Sequence, residues 1–116
     1  MKRNIFSLSI VLPAYNEEKN IKTTLDQIFF VLPGITDDFE VIVVDDGSRD
    51  KTPAVLSDLK NKYRQLEVIG HRKNRGYGNA LISGFNKTSK DFIFFIDLDG
   101  QFDFKDGIWK NSMPLL

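Results

Sequence analysis

The run Phe92-Ile93-Phe94-Phe95-Ile96 is apolar without a break, and it ends in Asp97-Leu98-Asp99-Gly100-Gln101. A strand with no alternation of apolar and polar residues is buried on both faces, the habit of a parallel sheet covered by helices. Side chains two residues apart in extended backbone point the same way, so Asp97 and Asp99 can aim their oxygens at one point. With the amide oxygen of Gln101 they make a hard-oxygen site suited to Mg2+ or Mn2+. Such a site implies a cation held against a diphosphate.

Mostly apolar, strand-like segments precede it. Phe6 to Leu12 reads as a strand that stops at Pro13, because proline donates no ladder hydrogen bond. Asn16 then caps a helix, with Glu17 and Glu18 in its positive first turn and Ile21, Leu25, Ile28, Phe29 and Leu32 as its apolar stripe. Pro33-Gly34 closes that helix. Phe39 to Val44 is a second strand that runs into the turn-forming Asp45-Asp46-Gly47-Ser48. Thr52 as cap and Pro53 at the first helical position open a second helix with the stripe Ala54, Leu56, Leu59 and Tyr63. A third strand covers Leu66 to Ile69, and after the basic turn His71 to Gly78 the residues Ala80, Leu81, Gly84 and Phe85 mark a third helix.

The alternation of strands and helices implies right-handed crossovers and a parallel sheet with helices on both faces. The simplest doubly wound order is 3-2-1-4, with a switch point between strands one and four, and ligands in such sheets bind beyond the carboxyl ends of the strands. Tyr15-Asn16-Glu17, Asp45-Asp46-Gly47-Ser48 and Asp97-Leu98-Asp99 all fall at those ends. They are expected to share one crevice.

An anion in that crevice must be held locally, because 16 basic and 16 acidic residues cancel. No global field attracts nucleic acid or an anionic membrane surface. The 116 residues allow one domain. Cysteine is absent, which removes disulfides, thiol nucleophiles and zinc thiolate sites and fits a reducing, cytoplasmic setting. No apolar run approaches the roughly 20 residues that span a bilayer, and the start of the chain is too brief and too alternating for a signal peptide.

Each cluster also has a plain reading. An isolated Asp-Asp-Gly is usually a tight turn, and acids often end strands as solvated turns. Following a buried strand, Asp46 is placed to accept hydrogen bonds from a base or ribose. In Asn74-Arg75-Gly76-Tyr77-Gly78, Arg75 and the amides opening the next helix can face a diphosphate, while Gly76 and Gly78 let backbone approach closely. His71 is read as structural or solvent-exposed, since no second ligand stands near it. A dinucleotide fold is disfavoured because the first turn, Leu12-Pro13-Ala14-Tyr15-Asn16-Glu17, has no glycine and carries an acid; no Gly-Lys-Ser/Thr exists for a P-loop.

Taken together, Pro13-Ala14-Tyr15-Asn16-Glu17-Glu18, Asp45-Asp46-Gly47-Ser48 with Asp50 and Thr52, Asn74 to Ala80, and Asp97-Leu98-Asp99-Gly100-Gln101 resemble the family 2 glycosyltransferases. The branch with dolichol-phosphate mannosyltransferase and the bacterial polyprenyl-phosphate glycosyltransferases is the most similar. The resemblance implies a GT-A fold: a Rossmann-like, mainly parallel α/β/α sheet, with a nucleotide-sugar-binding part at 1–104 and an atypical tail at 105–116. It implies that Pro13, Tyr15, Glu17 and Asp46 contact base and ribose, that Ala14, Asp45, Gly47 and Asp97 also belong to the nucleotide-binding set, and that Arg75, Gly76 and Gly78 face the diphosphate. Asp97, Asp99 and Gln101 would hold the metal, with Asp97, Asp99 and Arg75 as the catalytic set.

The implied reaction is transfer of a sugar, with inversion, from a UDP- or GDP-sugar to a polyprenyl or dolichyl phosphate or a sugar acceptor. Family members continue past the metal motif, so the resemblance also implies a chain truncated there, with strand four an exposed edge prone to self-association and any full-length form at the cytoplasmic face of a membrane. A catalytically incomplete nucleotide-binding fragment is the alternative expectation. A nucleotidyltransferase is a third reading, disfavoured because those enzymes usually carry a glycine-rich loop in the first turn.

Overall fold

A computed structural model of the protein describes residues 7–98. In chain order the elements are β1 (Leu8–Ala14), α1 (Ile21–Val31), a 3-10 turn (Leu32–Gly34), β2 (Phe39–Asp45), α2 (Thr52–Lys62), β3 (Leu66–Gly70), α3 (Tyr77–Lys87) and β4 (Phe92–Phe95). The four strands form one sheet in the order β3-β2-β1-β4, and every pairing is parallel. This is the expected order. β1 and β2 are registered from Leu8 against Phe39 to Ala14 against Asp45, whereas β4 accompanies β1 only from Leu8 to Val11.

Period two divides the strands between two cores. Leu8, Ile10, Leu12, Val41, Val43 and Phe94 face α1 and α2, meeting Ile21, Leu25, Ile28, Leu32, Leu56 and Leu59. Ile42 and Val44 face α3 and pack on Ala80. A Cβ on Gly84 would lie 2.4 Å from Val11 Cγ1, so α3 rides close to the sheet only because that residue has no side chain. All five expected stripe residues of the first helix are buried. In α2 the stripe differs: Ala54 is exposed and Val55 is half-buried against the core, giving 52, 55, 56, 59 and 63 as the inward face. Among the described residues no helix is long and apolar enough to cross a membrane.

Pro13 does not end β1. The carbonyl of Val11 accepts from Ile96 N–H on the β4 side and that of Ala14 accepts from Asp46 N–H on the β2 side. By the same alternation the absent N–H of Pro13 faces β4 beyond its last residue, Phe95, where no ladder partner is lost.

Where α1 meets the end of α2, Asp26 accepts from Lys22 Nζ at 2.7 Å, Tyr63 Oη at 2.5 Å and Lys62 Nζ at 3.3 Å. Phe29 stacks on Tyr63 with centroids 4.0 Å apart. Burial pushes the Asp26 carboxyl up, but these donors outweigh it and bring the pKa from 3.8 down to about 2. A depressed folded value stabilises above the unfolded one and is lost as pH falls through the folded one. Wild type is therefore expected to exceed Asp26→Asn by about 1 kcal/mol near neutrality, after solvent screening. Urea denaturation should show that margin closing between pH 3.8 and about 2.

Candidate functional site

The loops after β1 and β2 are laced together. Asn16 has φ +55°, a conformation asparagine tolerates better than most residues. Its N–H donates to Ser48 Oγ at 2.9 Å, and its Oδ1 accepts from Arg49 N–H at 2.8 Å and Asp50 N–H at 3.3 Å. Glu17 N–H donates to Thr52 Oγ1 at 2.9 Å. Asn16 is therefore a clamp between loops and not a helix cap. The chain makes one further turn, and α1 starts at Ile21 behind Asn20 with no acid in its first turn. Thr52 Oγ1 is likewise spent on Glu17; Thr52 opens α2 as its first residue behind Lys51, whose side chain makes no cap, and its N–H donates to Asp50 Oδ1 at 2.9 Å.

The adjacent acids of β2 separate. Asp45 Oδ1 accepts from Ser48 N–H at 3.1 Å, holding its own turn, and Asp45 does not line the cavity. Asp46 points to the α3 side and is 5% exposed. Its Oδ1 accepts from Arg75 N–H at 2.8 Å and lies 2.8 Å from His71 Nδ1, and its Oδ2 accepts from Gly76 N–H at 2.9 Å. Burial pushes this carboxyl up, yet the His71 ring and the two amides hold it below the ordinary carboxylate value. Gly47, at φ +75°, lies so close to Lys73 and Asn74 that a Cβ would come within 2.4 Å of their backbone.

These loops enclose a cavity of about 360 Å³ at the carboxyl ends of β1 and β4, lined by residues of all three strand-end loops. Pro13, Ala14, Tyr15, Glu17, Asp46, Gly76 and Asp97 of the expected set line it; Asp45, Gly47, Arg75 and Gly78 do not. Arg75 is exposed and contributes its backbone N–H to Asp46. Asp99 and Gln101 lie outside the described residues. Asn74, Tyr77, Ala80 and Leu98 complete the lining; the first two sit in the glycine-containing motif, where the alternation of exposed polar residues carried no sign of which faced inward.

Tyr77 Oη donates to Asp97 Oδ1 at 2.5 Å. Partial burial and the Asp97 carboxylate push the Tyr77 phenol up to about 12, so it stays protonated and orients Asp97 as a donor. Among the described residues no three His, Cys, Asp or Glu groups are gathered for a metal ion. Asp97 itself suits a hard divalent cation, being an exposed carboxylate on the cavity wall with Oδ2 unbonded among the described residues. His71, which the sequence marks only as structural or solvent-exposed, reaches the site: its side chain is 5% exposed and wedged between Asp46 and Ser83 Oγ, 2.8 Å from Nε2. Its position at the foot of the basic loop was the available signal.

Residues 9–106 match the family described as glycosyl transferase family 2. The chain is 39% identical over 108 residues to a dolichyl-phosphate beta-glucosyltransferase of Homo sapiens, covering 85% of this chain and 33% of that protein. It is 34% identical over 99 residues to an undecaprenyl-phosphate 4-deoxy-4-formamido-L-arabinose transferase of Photorhabdus laumondii, covering 84% and 30%. The chain thus spans about a third of the length of these relatives. The mannosyltransferase PcManGT of Pyrobaculum calidifontis, solved with GDP-Man and Mn2+, superposes with a TM-score of 0.73 at 25% identity, covering 85% of this chain and 30% of that one.

Proposed function

The chain belongs to glycosyl transferase family 2, with the GT-A fold, and on that premise we propose that its cavity binds a nucleotide-diphosphate sugar for transfer, with inversion, to a polyprenyl or dolichyl phosphate. The observation that carries this reading is the convergence of the β1, β2 and β4 loops on one cavity at the sheet's switch point, with Asp46 and Asp97 on its wall. Pro13, Tyr15 and Glu17 form the side on which base and ribose would rest. Three of the roughly four lone-pair positions of Asp46 are taken by protein donors, which leaves one for a ribose hydroxyl.

Asp97, with Asp99 and Gln101, would hold Mg2+ or Mn2+ against the diphosphate, and the cation would stabilise negative charge on the leaving group. Tyr77 fixes the direction of the Asp97 carboxylate. Arg75, exposed on the loop before α3 and outside the cavity lining, would have to swing its side chain inward to add positive charge beside the departing diphosphate. A phosphate acceptor is already anionic, so the attacking oxygen needs little help from a general base.

Calorimetric titration with UDP and GDP, each with and without Mn2+, tests the reading. One nucleotide is expected to bind in a Mn2+-dependent way, and Asp97→Ala is expected to weaken that binding about tenfold or more. A folded chain that binds neither nucleotide, or an Asp97→Ala variant that keeps full Mn2+ dependence, would overturn it.

A further inference from the structure

His71 is the one histidine of the chain. It follows β3 directly, and its backbone N–H donates to the Asp45 carbonyl at 2.9 Å, which fixes the ring's origin at the end of the sheet. The buried ring spans two elements: Nδ1 lies 2.8 Å from Asp46 Oδ1, and Nε2 lies 2.8 Å from Ser83 Oγ on α3. Asp46 is a carboxylate, an acceptor only, so the proton between it and the ring belongs to Nδ1. In the neutral ring Nε2 then accepts from the Ser83 hydroxyl. This is the reverse of the tautomer that free histidine favours.

The consequence runs through Asp46. The oxygen that accepts from His71 also accepts from Arg75 N–H, and the other accepts from Gly76 N–H. The carboxylate can meet both amides only in one orientation, and the ring, anchored on α3 through Ser83, sets that orientation. Asn79 Nδ2 closes the same turn by donating to the Arg75 carbonyl at 2.7 Å. Asn74, Gly76 and Tyr77 of this turn line the cavity. We infer that His71 is a positioning residue of the donor cavity, which holds Asp46 through an Nδ1–H tautomer and thereby sets the wall formed by Asn74, Gly76 and Tyr77. The inference rests on the cavity being the donor site.

Nitrogen-15 NMR of the whole chain reads the tautomer directly, because a single imidazole gives the spectrum. An Nδ1–H ring is expected, and an Nε2–H ring would overturn the inference whether or not any variant folds. Nucleotide titration in the presence of Mn2+ supplies the functional arm. His71→Ala is expected to raise the Kd about 10- to 100-fold, the range for losing a hydrogen bond to a charged group. His71→Asn places its amide nitrogen near the Nδ1 position and is expected to restore binding to within about threefold, whereas His71→Gln, which reaches towards Ser83 instead, is expected to resemble His71→Ala. Equal binding by wild type and His71→Ala, or equal loss in His71→Asn and His71→Ala, would overturn the positioning role alone. A wild-type chain that binds no nucleotide would overturn the donor-site reading with it.

Discussion

Gly47→Ala is expected to lower the melting temperature of the chain by about 15 °C or more and to abolish nucleotide binding. Two costs combine. At φ +75° any side chain is strained, by about 1 to 2 kcal/mol. The added Cβ would also sit 2.4 Å from Asn74 N and from the Lys73 carbonyl carbon, and 2.8 Å from Lys73 Cα. These are backbone atoms, so no rotamer change relieves the contact, and overpacking of that kind adds about 1 to 3 kcal/mol. The loop can yield only by moving away from β2, which draws the Arg75 and Gly76 amides off Asp46. Thermal denaturation followed by circular dichroism measures the first effect. A melting temperature within about 3 °C of wild type would show that the loop does not make this close approach.

Much of the fold was open to sequence reading because strands buried on both faces leave unbroken apolar runs. Val41 to Val44 and Phe92 to Ile96 are such runs, and once helices alternate with them the handedness of the crossovers leaves few strand orders. The failures are local and share a cause. The missing donor of Pro13 predicts a strand end, whereas its place in β1 depends on where β4 ends, 82 residues later in the chain at Phe95. The residue type of Asn16 predicts a cap, but its oxygen is claimed by Arg49 and Asp50. A competition between a local cap and a distant loop leaves no periodic trace.

The site was legible in its location more than in its wiring. Alternation places Pro13 with Val11, Asp46 with Val44 and Asp97 with Phe95, all on the α3 side, while Asp45 shares parity with Val43 on the other side. Parity alone would have favoured Asp46 over Asp45 had the face covered by α3 been known. That Asp46 should take its donors from His71, Arg75 and Gly76, 25 to 30 residues away, follows from the geometry of the close approach at Gly47 and not from any spacing in the chain.

Asp46 is where stability and binding meet most directly, and Asp46→Asn is expected to damage both. Asparagine keeps the volume but turns one acceptor into an NH2 group, which then faces the Gly76 N–H or the Arg75 N–H and His71 donors. A buried donor set against donors loses its hydrogen bonds and stays desolvated, a cost of about 2 to 4 kcal/mol here. Urea denaturation is expected to show that loss at neutral pH. The pH dependence adds a sign. The folded Asp46 carboxyl titrates below the ordinary value of 3.8, so its contribution is whole above that value and disappears as pH falls through the lower folded one. The gap between wild type and Asp46→Asn should therefore narrow only on acidification below 3.8. A gap that narrows instead on raising the pH from neutrality would mean that Asp46 is held protonated in the fold, and the carboxylate clamp on Arg75 and Gly76 would have to be abandoned.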